Sequence, residues 1–109
     1  MTETVEKGDT VRVHYIGSFK GGKVFDTSYE EKAKKAGVYQ RSRDYKPLPV
    51  VAGAGQVIKG FDEALLGMKL NEEKEVEIPP EKGYGTSGRH PLAGKTLIFK
   101  IKVVEIKKK

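Results

Sequence analysis

The chain has 109 residues, no cysteine, and 21 lysines and arginines against 15 aspartates and glutamates, which gives a net charge of +6. This length allows one domain with a single hydrophobic core, and the lack of cysteine excludes disulfides and thiolate chemistry. Basic residues are interleaved with acidic ones, as in "NEEKEVE", except in the terminal run Lys107–Lys109, which we interpret as a solvated end. Such charge supports only non-specific association, so nucleic acid is not expected as a partner.

The sequence also argues against a membrane role. The N-terminal "MTETVEKGDT" lacks the apolar run of a secretory signal, and no stretch approaches the roughly 20 apolar residues of a membrane span. We therefore expect a cytoplasmic, monomeric protein with no membrane partner.

The first predicted elements form a β-hairpin. "TVRVHYIGSF" alternates, so that Val11, Val13 and Tyr15 share one face of a strand. "KGGK" is typical of a tight turn, and "VFDTS" continues as a short extended segment.

A surface helix is predicted next, over "SYEEKAKKAG". Ser28 and Glu31 have the spacing of a capping box, and Gly37 stands where a left-handed C-cap is expected. The following "VYQRSRDYKPLP" is predicted to be irregular, because its two prolines bar a central strand.

A second helix is predicted from Phe61 to about Gly67, following the glycine-rich "GAGQVIKG". Phe61, Leu65 and Met68 form one apolar stripe at helical spacing, and Asp62 in the first turn complements the helix dipole. "EKEVEIPP" and "TLIFKIKVVEI" are predicted strands, the latter with a bulge where Val103 and Val104 break the alternation.

Together these elements predict an α+β domain over residues 1–109. Its twisted, mostly antiparallel sheet packs on one short amphipathic helix, and an extra helix lies on the surface. This architecture alone names no function.

The usual parts of hydrolytic, transfer or redox chemistry are missing. His14 and His90 lack the spacing of metal ligands, and the alternation around His14 predicts a histidine on the face of the sheet. "GAGQVIKG" matches neither phosphate-loop pattern, and no nucleophile elbow is present. No metal or cofactor is expected.

What remains is a set of apolar side chains at the ends of elements. For Phe61 and Phe99, the core and the wall of a binding pocket both remain open as interpretations. The loop contexts of Val57, Ile58 and Tyr84 favour a pocket wall.

Five collinear segments closely resemble the FKBP family of peptidyl-prolyl cis-trans isomerases: "VHYIG", "GKVFDTS", "GAGQVIKGFDEAL", "PPEKGYG" and "LIFKIKVVEI". The resemblance implies an FKBP-like half-barrel with the extra helix in its bulge, and an isomerase that accelerates rotation about X-Pro bonds without a cofactor. It also implies proline-containing peptides and unfolded protein chains as partners, with macrolides such as rapamycin as further ligands.

Carried over position by position, the resemblance implies a pocket built from Tyr15, Phe25, Asp26, Val57, Ile58, Phe61, Tyr84 and Phe99. Leu48 stands in place of an aromatic wall residue, and Leu92 is the candidate for a contact from the flap, the segment that follows Tyr84 and Gly85. The Ile58 N–H would hold the substrate carbonyl and Tyr84 would donate its hydroxyl. Asp26 would orient the pocket through Tyr15, although a turn or cap role for Asp26 remains open.

Two features depart from the minimal family pattern. The segment 27–46 is longer and resembles the bulge of the archaeal and SlyD-type branch, in which a chaperone domain usually interrupts the flap after "YG". Here "TSGR" bridges that place, so the hypothesis is a member without the insert between Gly85 and His90. A non-catalytic proline-peptide binding module and a residual folding chaperone with weak turnover remain alternatives.

Overall fold

The computed structural model describes residues 3–109, in which five strands and two α-helices form. The elements in chain order are β1 (Thr10–Phe19), β2 (Val24–Thr27), α1 (Glu30–Ala36), β3 (Leu48–Val51), α2 (Lys59–Leu65), β4 (Glu73–Ile78), a short 3-10 helix (Pro80–Lys82) and β5 (Leu97–Lys107). Within residues 3–109, no helix has the length and apolar character needed to cross a membrane.

The five strands form one antiparallel sheet in the order β2-β1-β5-β4. Strand β3 pairs with the first half of β1, and β2 pairs with its second half, so both lie along the same edge of β1. The inner face of the sheet packs on α2, which confirms the predicted α+β class.

The predicted apolar faces form the core. The alternate residues Val11, Val13 and Tyr15 of β1 are buried, and the stripe on α2 is confirmed because Phe61 and Leu65 are buried as well. Each such side chain contributes about 1.5–3 kcal/mol when it leaves water. Helix α2 begins at residue 59, two residues before the predicted start.

The predicted bulge in β5 is also confirmed. Arg12 pairs with Glu105 and Val13 pairs with Val103, which leaves Val104 as the extra residue of β5. The bulge shifts the alternation by one residue, so that Ile106 rather than Glu105 packs against the core.

The prediction of irregular structure throughout 38–49 is wrong at its end. Strand β3 begins at Leu48, and Pro49 lies opposite Arg12 of β1. The exposed Pro49 is tolerated because β3 pairs on one side only, so the missing proline N–H removes no hydrogen bond from a second neighbour.

The predicted C-cap of α1 is confirmed, but its capping box is not. Gly37 adopts a left-handed conformation (φ 76°) and closes the helix. Ser28 instead accepts the Tyr15 N–H at 2.8 Å and bonds to His14 Nδ1 at 2.8 Å. Because the buried Ser28 hydroxyl bonds to β1, Ser28 does not cap the helix. Helix α1 begins at Glu30, with Tyr29 as its N-cap residue and no side-chain cap. His14 lies on the sheet face, as predicted, and its ring stacks on Tyr29.

The prediction that the basic tail Lys107–Lys109 is solvated is wrong for Lys108. The Lys108 ammonium donates to Asp9 Oδ2 at 2.6 Å, to Glu6 Oε1 at 2.9 Å and to the Thr4 carbonyl at 2.8 Å. The Lys109 N–H donates to the other Asp9 oxygen at 3.0 Å. The buried Asp9 carboxylate therefore fastens the end of β5 to the N-terminal segment.

These contacts predict how stability depends on pH. The Lys108 hydrogen bond and the Glu6 N–H lower the pKa of Asp9 from 3.8 to about 2. Because the folded-state pKa is depressed, Asp9 stabilises the fold above pH 3.8, and this contribution is lost as the pH falls through about 2. We expect Asp9→Asn to lower the urea midpoint at neutral pH and to converge with the wild type below pH 2.

The matched control is Asp44→Asn, because Asp44 is exposed and its partner Lys46 lies 3.6 Å away. Its urea midpoint should follow the wild type at every pH. If the difference in urea midpoint between the wild type and Asp9→Asn stays constant with pH, the proposed role of Asp9 in fastening the tail is wrong.

Candidate active site

A cavity of about 340 Å³ opens beside the start of α2. This volume falls within the usual range for ligand pockets. Its lining residues are Tyr15, Phe25, Asp26, Leu48, Gln56, Val57, Ile58, Phe61, Tyr84 and Phe99. The structure thus gathers every residue predicted for the site except Leu92, and it adds Gln56.

Aromatic rings form the inner wall of this cavity. The Phe99 ring meets Phe61 and Phe25 edge to face, at centroid distances of 5.3 and 5.7 Å, and lies 6.1 Å from Tyr15. Such offset and edge arrangements are the favoured ones for aromatic pairs. Phe61 and Phe99 are only 3% and 5% exposed, so they are core residues and cavity residues at once.

Gly17 of β1 makes room for two of these rings. A Cβ atom at this position would lie 2.9 Å from Phe25 Cζ and 2.9 Å from Phe99 Cε1, closer than carbon atoms can pack. The aromatic wall therefore depends on a position without a side chain in β1.

We expect Gly17→Ala to push the Phe25 and Phe99 rings into the cavity. Overpacking of this kind costs about 1–3 kcal/mol in the free energy of unfolding, and affinity for a ligand in the cavity should fall as well. The control is Gly22→Ala in the hairpin turn, where an added Cβ meets no atom within 4 Å. Equal stability and equal ligand affinity in the two variants would show that the contact with the rings does not limit packing.

A polar network closes one side of the cavity. The Tyr15 hydroxyl donates to Asp26 Oδ2 at 2.8 Å, and the Arg43 guanidinium donates to Asp26 Oδ1 at 2.6 Å and to the Tyr15 oxygen at 2.9 Å. The predicted link between Asp26 and Tyr15 is present. Asp26 also accepts the N–H of Thr27, so it has a local turn bond in addition.

Arg43 was missed by the sequence analysis. It lies in the connection between α1 and β3, which carries several basic residues and no periodic pattern. A carboxylate beside an apolar cavity needs a cation or hydrogen-bond donors, so the sequence indicated that Asp26 should have such a partner. Nothing in the sequence distinguishes Arg43 from Arg41 as the partner.

The network keeps its groups in defined protonation states. Burial raises the pKa of Tyr15 to about 12, and the hydrogen bond to Asp26 acts in the same direction. Burial opposes the charge of Arg43, but its bonds to Asp26 and Tyr15 raise its pKa overall. Burial also raises the pKa of Tyr84, with the negative charge of Asp26 contributing. Both hydroxyls are therefore donors at neutral pH.

Tyr84 follows the 3-10 helix and is supported by the flap. Its ring stacks on His90, with centroids 4.2 Å apart and planes 12° from parallel. His90 Nδ1 accepts the Leu92 N–H at 3.0 Å, and the Gly94 N–H donates to the Gly85 carbonyl at 2.7 Å. Leu92 is half-buried within the flap rather than in the cavity lining.

Val57 and Ile58 stand at the end of the glycine-rich loop, immediately before α2. The Ile58 carbonyl accepts the Asp62 N–H at 3.0 Å, which makes Ile58 the first residue of the helical turn. An N–H at the start of a helix has no partner within the helix, so the Ile58 N–H at the cavity wall is not used by α2.

Comparison with known proteins identifies the family to which this fold and this cavity belong. Residues 1–104 match the family model described as FKBP-type peptidyl-prolyl cis-trans isomerase. The chain therefore belongs to this family, and the resemblance read from the five sequence segments is confirmed.

Individual relatives agree with this assignment. A short-type peptidyl-prolyl cis-trans isomerase of Methanocaldococcus jannaschii is 51% identical over 85 residues, which cover 78% of this chain and 54% of the relative. FK506-binding protein 2 of Aspergillus oryzae is 41% identical, covering 96% of this chain and 70% of the relative. FK506-binding protein 1A of Neurospora crassa is 41% identical, covering 97% and 79%. The chain spans about half the length of the archaeal relative.

Proposed function

We propose that this chain is a peptidyl-prolyl cis-trans isomerase that binds the X-Pro bond in its cavity and favours the rotated imide. The observation that carries the proposal is an apolar aromatic wall with a small number of polar groups in the same cavity, at Tyr84, Gln56, the Ile58 N–H and the Tyr15–Asp26–Arg43 network. The family assignment supports the same activity.

The chemistry requires no reactive side chain. An X-Pro bond prefers trans by only about 0.5–1 kcal/mol but interconverts over tens to hundreds of seconds, because rotation breaks amide resonance, at a cost of roughly 18–20 kcal/mol. Without resonance the carbonyl is less polar, so the rotated imide is less well solvated by water than the planar forms. A cavity that binds it more tightly than the ground state accelerates the rotation.

The lining residues then have distinct roles. Phe25, Val57, Phe61 and Phe99 surround the proline ring, with Phe61 as the floor, and Leu48 contributes to the outer wall. A peptide carbonyl accepts the Ile58 N–H, which fixes the part of the substrate that does not rotate.

The polar groups of the cavity bind the rotating bond or hold other side chains in place. Tyr84 donates its hydroxyl to the carbonyl of that bond. Asp26 transfers no proton and instead holds Tyr15 in place, assisted by Arg43. The half-buried Leu92 acts indirectly, as part of the flap behind Tyr84.

The partners that follow are proline-containing peptides and unfolded chains, bound without a cofactor by a monomer. The names of the two fungal relatives refer to FK506 binding, and the same cavity here is proposed to accept FK506 and the macrolide rapamycin. The loop closed by the hydrogen bond between Gly94 and Gly85 supports a flap without an inserted chaperone domain, since only residues 86–93 lie between its bonded ends. We therefore expect more activity on short peptides than on folding proteins.

The test is the cis-to-trans relaxation of a short X-Pro peptide, followed with increasing amounts of the protein. The proposal predicts a rate that rises in proportion to protein concentration and returns to the uncatalysed value with equimolar rapamycin. A chain that binds the peptide, seen by chemical-shift changes at Val57 and Ile58, without accelerating relaxation would be a binding module instead. If the chain neither binds the peptide nor accelerates its relaxation, the cavity is not a site for X-Pro peptides.

A further inference from the structure

Asp62 of α2 has a hydrogen-bond pattern that its place in the first helical turn does not explain. Its side chain is buried, with 8% of the residue exposed. Oδ1 accepts the Gly53 N–H at 2.7 Å, and Oδ2 accepts the Gly55 N–H at 3.0 Å. Both oxygens are therefore committed to the backbone of the loop that precedes the helix.

We propose that Asp62 is a positioning residue for the isomerase site, which holds the loop 53–58 so that Val57 and Ile58 face the cavity. This inference rests on the proposed function, since it assigns Asp62 a part in that activity. Asp62 itself is absent from the cavity lining, whereas Gln56, Val57 and Ile58, which follow its two loop contacts, belong to it.

The loop conformation matches this arrangement. Gly53 and Gly55 have φ values of 78° and 75°, in the left-handed region that glycine adopts without strain. This conformation turns both N–H groups toward one point, as in the anion-binding concavities formed by successive backbone N–H groups. Here a carboxylate from the chain itself occupies that point.

The buried Asp62 side chain is bonded to the protein through these backbone donors. Among the ion pairs formed within residues 3–109, none includes Asp62. A buried carboxylate without a cation requires hydrogen-bond donors, so the loop and the carboxylate stabilise each other. If the loop left this position, the carboxylate would lose both donors.

A second contact fixes the other side of the loop. Gln56 Oε1 accepts the N–H of Val51 in β3 at 2.9 Å. The loop is thus anchored to α2 through Asp62 and to β3 through Gln56, and the two pocket residues come directly after these anchors. Preorganisation of this kind lowers the cost of binding a substrate in one geometry.

The test begins with the wild-type protein and needs no substitution. Amide hydrogen exchange, corrected for intrinsic rates, should be at least about tenfold slower at Gly53 and Gly55 than at Gln56, because a stable hydrogen bond must open before exchange. Exchange of Gly53 and Gly55 at the rate of an open loop would overturn the proposal.

The variant is Asp62→Asn, which keeps the shape of the side chain and removes its charge and one acceptor. We expect exchange at Gly53 and Gly55 to rise by about tenfold, and the isomerisation rate per folded molecule to fall by about tenfold, with Asp62→Glu restoring part of it. Amide chemical shifts of Val57 and Ile58 should move in parallel.

The matched control is Asp9→Asn, because Asp9 is also buried, accepts backbone N–H groups and lies outside the cavity lining. It should lower stability without changing loop exchange or activity per folded molecule. If Asp62→Asn resembles this control in both readouts, Asp62 is merely structural and the proposal is wrong. If the wild type is inactive on X-Pro peptides, the proposed function fails, while loop exchange still tests the positioning of Val57 and Ile58.

Discussion

Replacement of Phe99 by alanine is expected to have the largest effect on the molecule. The free energy of unfolding should fall by about 3–5 kcal/mol, the usual cost of removing a buried phenylalanine. Phe99 is 5% exposed and its ring contacts those of Tyr15, Phe25 and Phe61, so its loss removes the shared neighbour of three cavity residues.

The same variant should also lose activity, measured per folded molecule at a temperature where both proteins are folded. The cavity would widen and hold the proline ring less tightly, so kcat/KM should fall by at least about tenfold. Tyr39→Ala is the control for loss of an aromatic ring, because Tyr39 is 37% exposed and lies outside the cavity. Full activity of folded Phe99→Ala would contradict the role of the aromatic wall.

Replacement of Asp26 by alanine is expected to have the second largest effect. It leaves the Arg43 guanidinium and the Tyr15 hydroxyl without their shared acceptor, which each contacts at less than 3 Å. A hydrogen bond to a charged group is worth about 1.5–3 kcal/mol, so kcat/KM should fall by roughly 10–150-fold. The pKa of Tyr15 should fall as well, because the hydrogen bond that its hydroxyl donates to Asp26 helps to raise it.

A double-mutant cycle separates this network from a simple loss of stability. Removing both Asp26 and Arg43 leaves no unpaired charge, so the double variant should be less impaired than the sum of the single variants. The measurement is kcat/KM for the four proteins with one X-Pro peptide. Strict additivity would show that Arg43 does not act through Asp26.

The sequence predicted the elements whose side chains alternate or recur. The period of two in β1 placed Val11, Val13 and Tyr15 on one face, which is buried, and the apolar stripe placed Phe61 against the sheet. These patterns depend only on residues close together in the sequence, so they can be recognised without knowledge of the tertiary contacts. Strand β3 was missed because Pro49 argues against a strand in any sequence, and only its edge position makes it acceptable.

Most of the site residues came from the family resemblance rather than from periodicity, and the structure gathers all of them but Leu92 around the cavity. The residues missed are polar partners, namely Arg43, Gln56 and His90 in loops and Asp62 in α2. Each contacts a site residue or a site loop through one or two hydrogen bonds or one stacked ring. A sequence offers several candidates for each such contact, and only the folded backbone selects among them.

The measurement that tests the central claim most directly is the catalysed relaxation rate of one X-Pro peptide in H2O and in D2O, from about pH 7 to about pH 9. We expect the cavity to favour the rotated imide without moving a proton, and the raised pKa values keep Tyr15 and Tyr84 protonated throughout this range. This mechanism therefore predicts a flat pH profile and equal rates in the two solvents. A rate that changes steeply with pH and is clearly slower in D2O would reveal proton transfer and contradict the account.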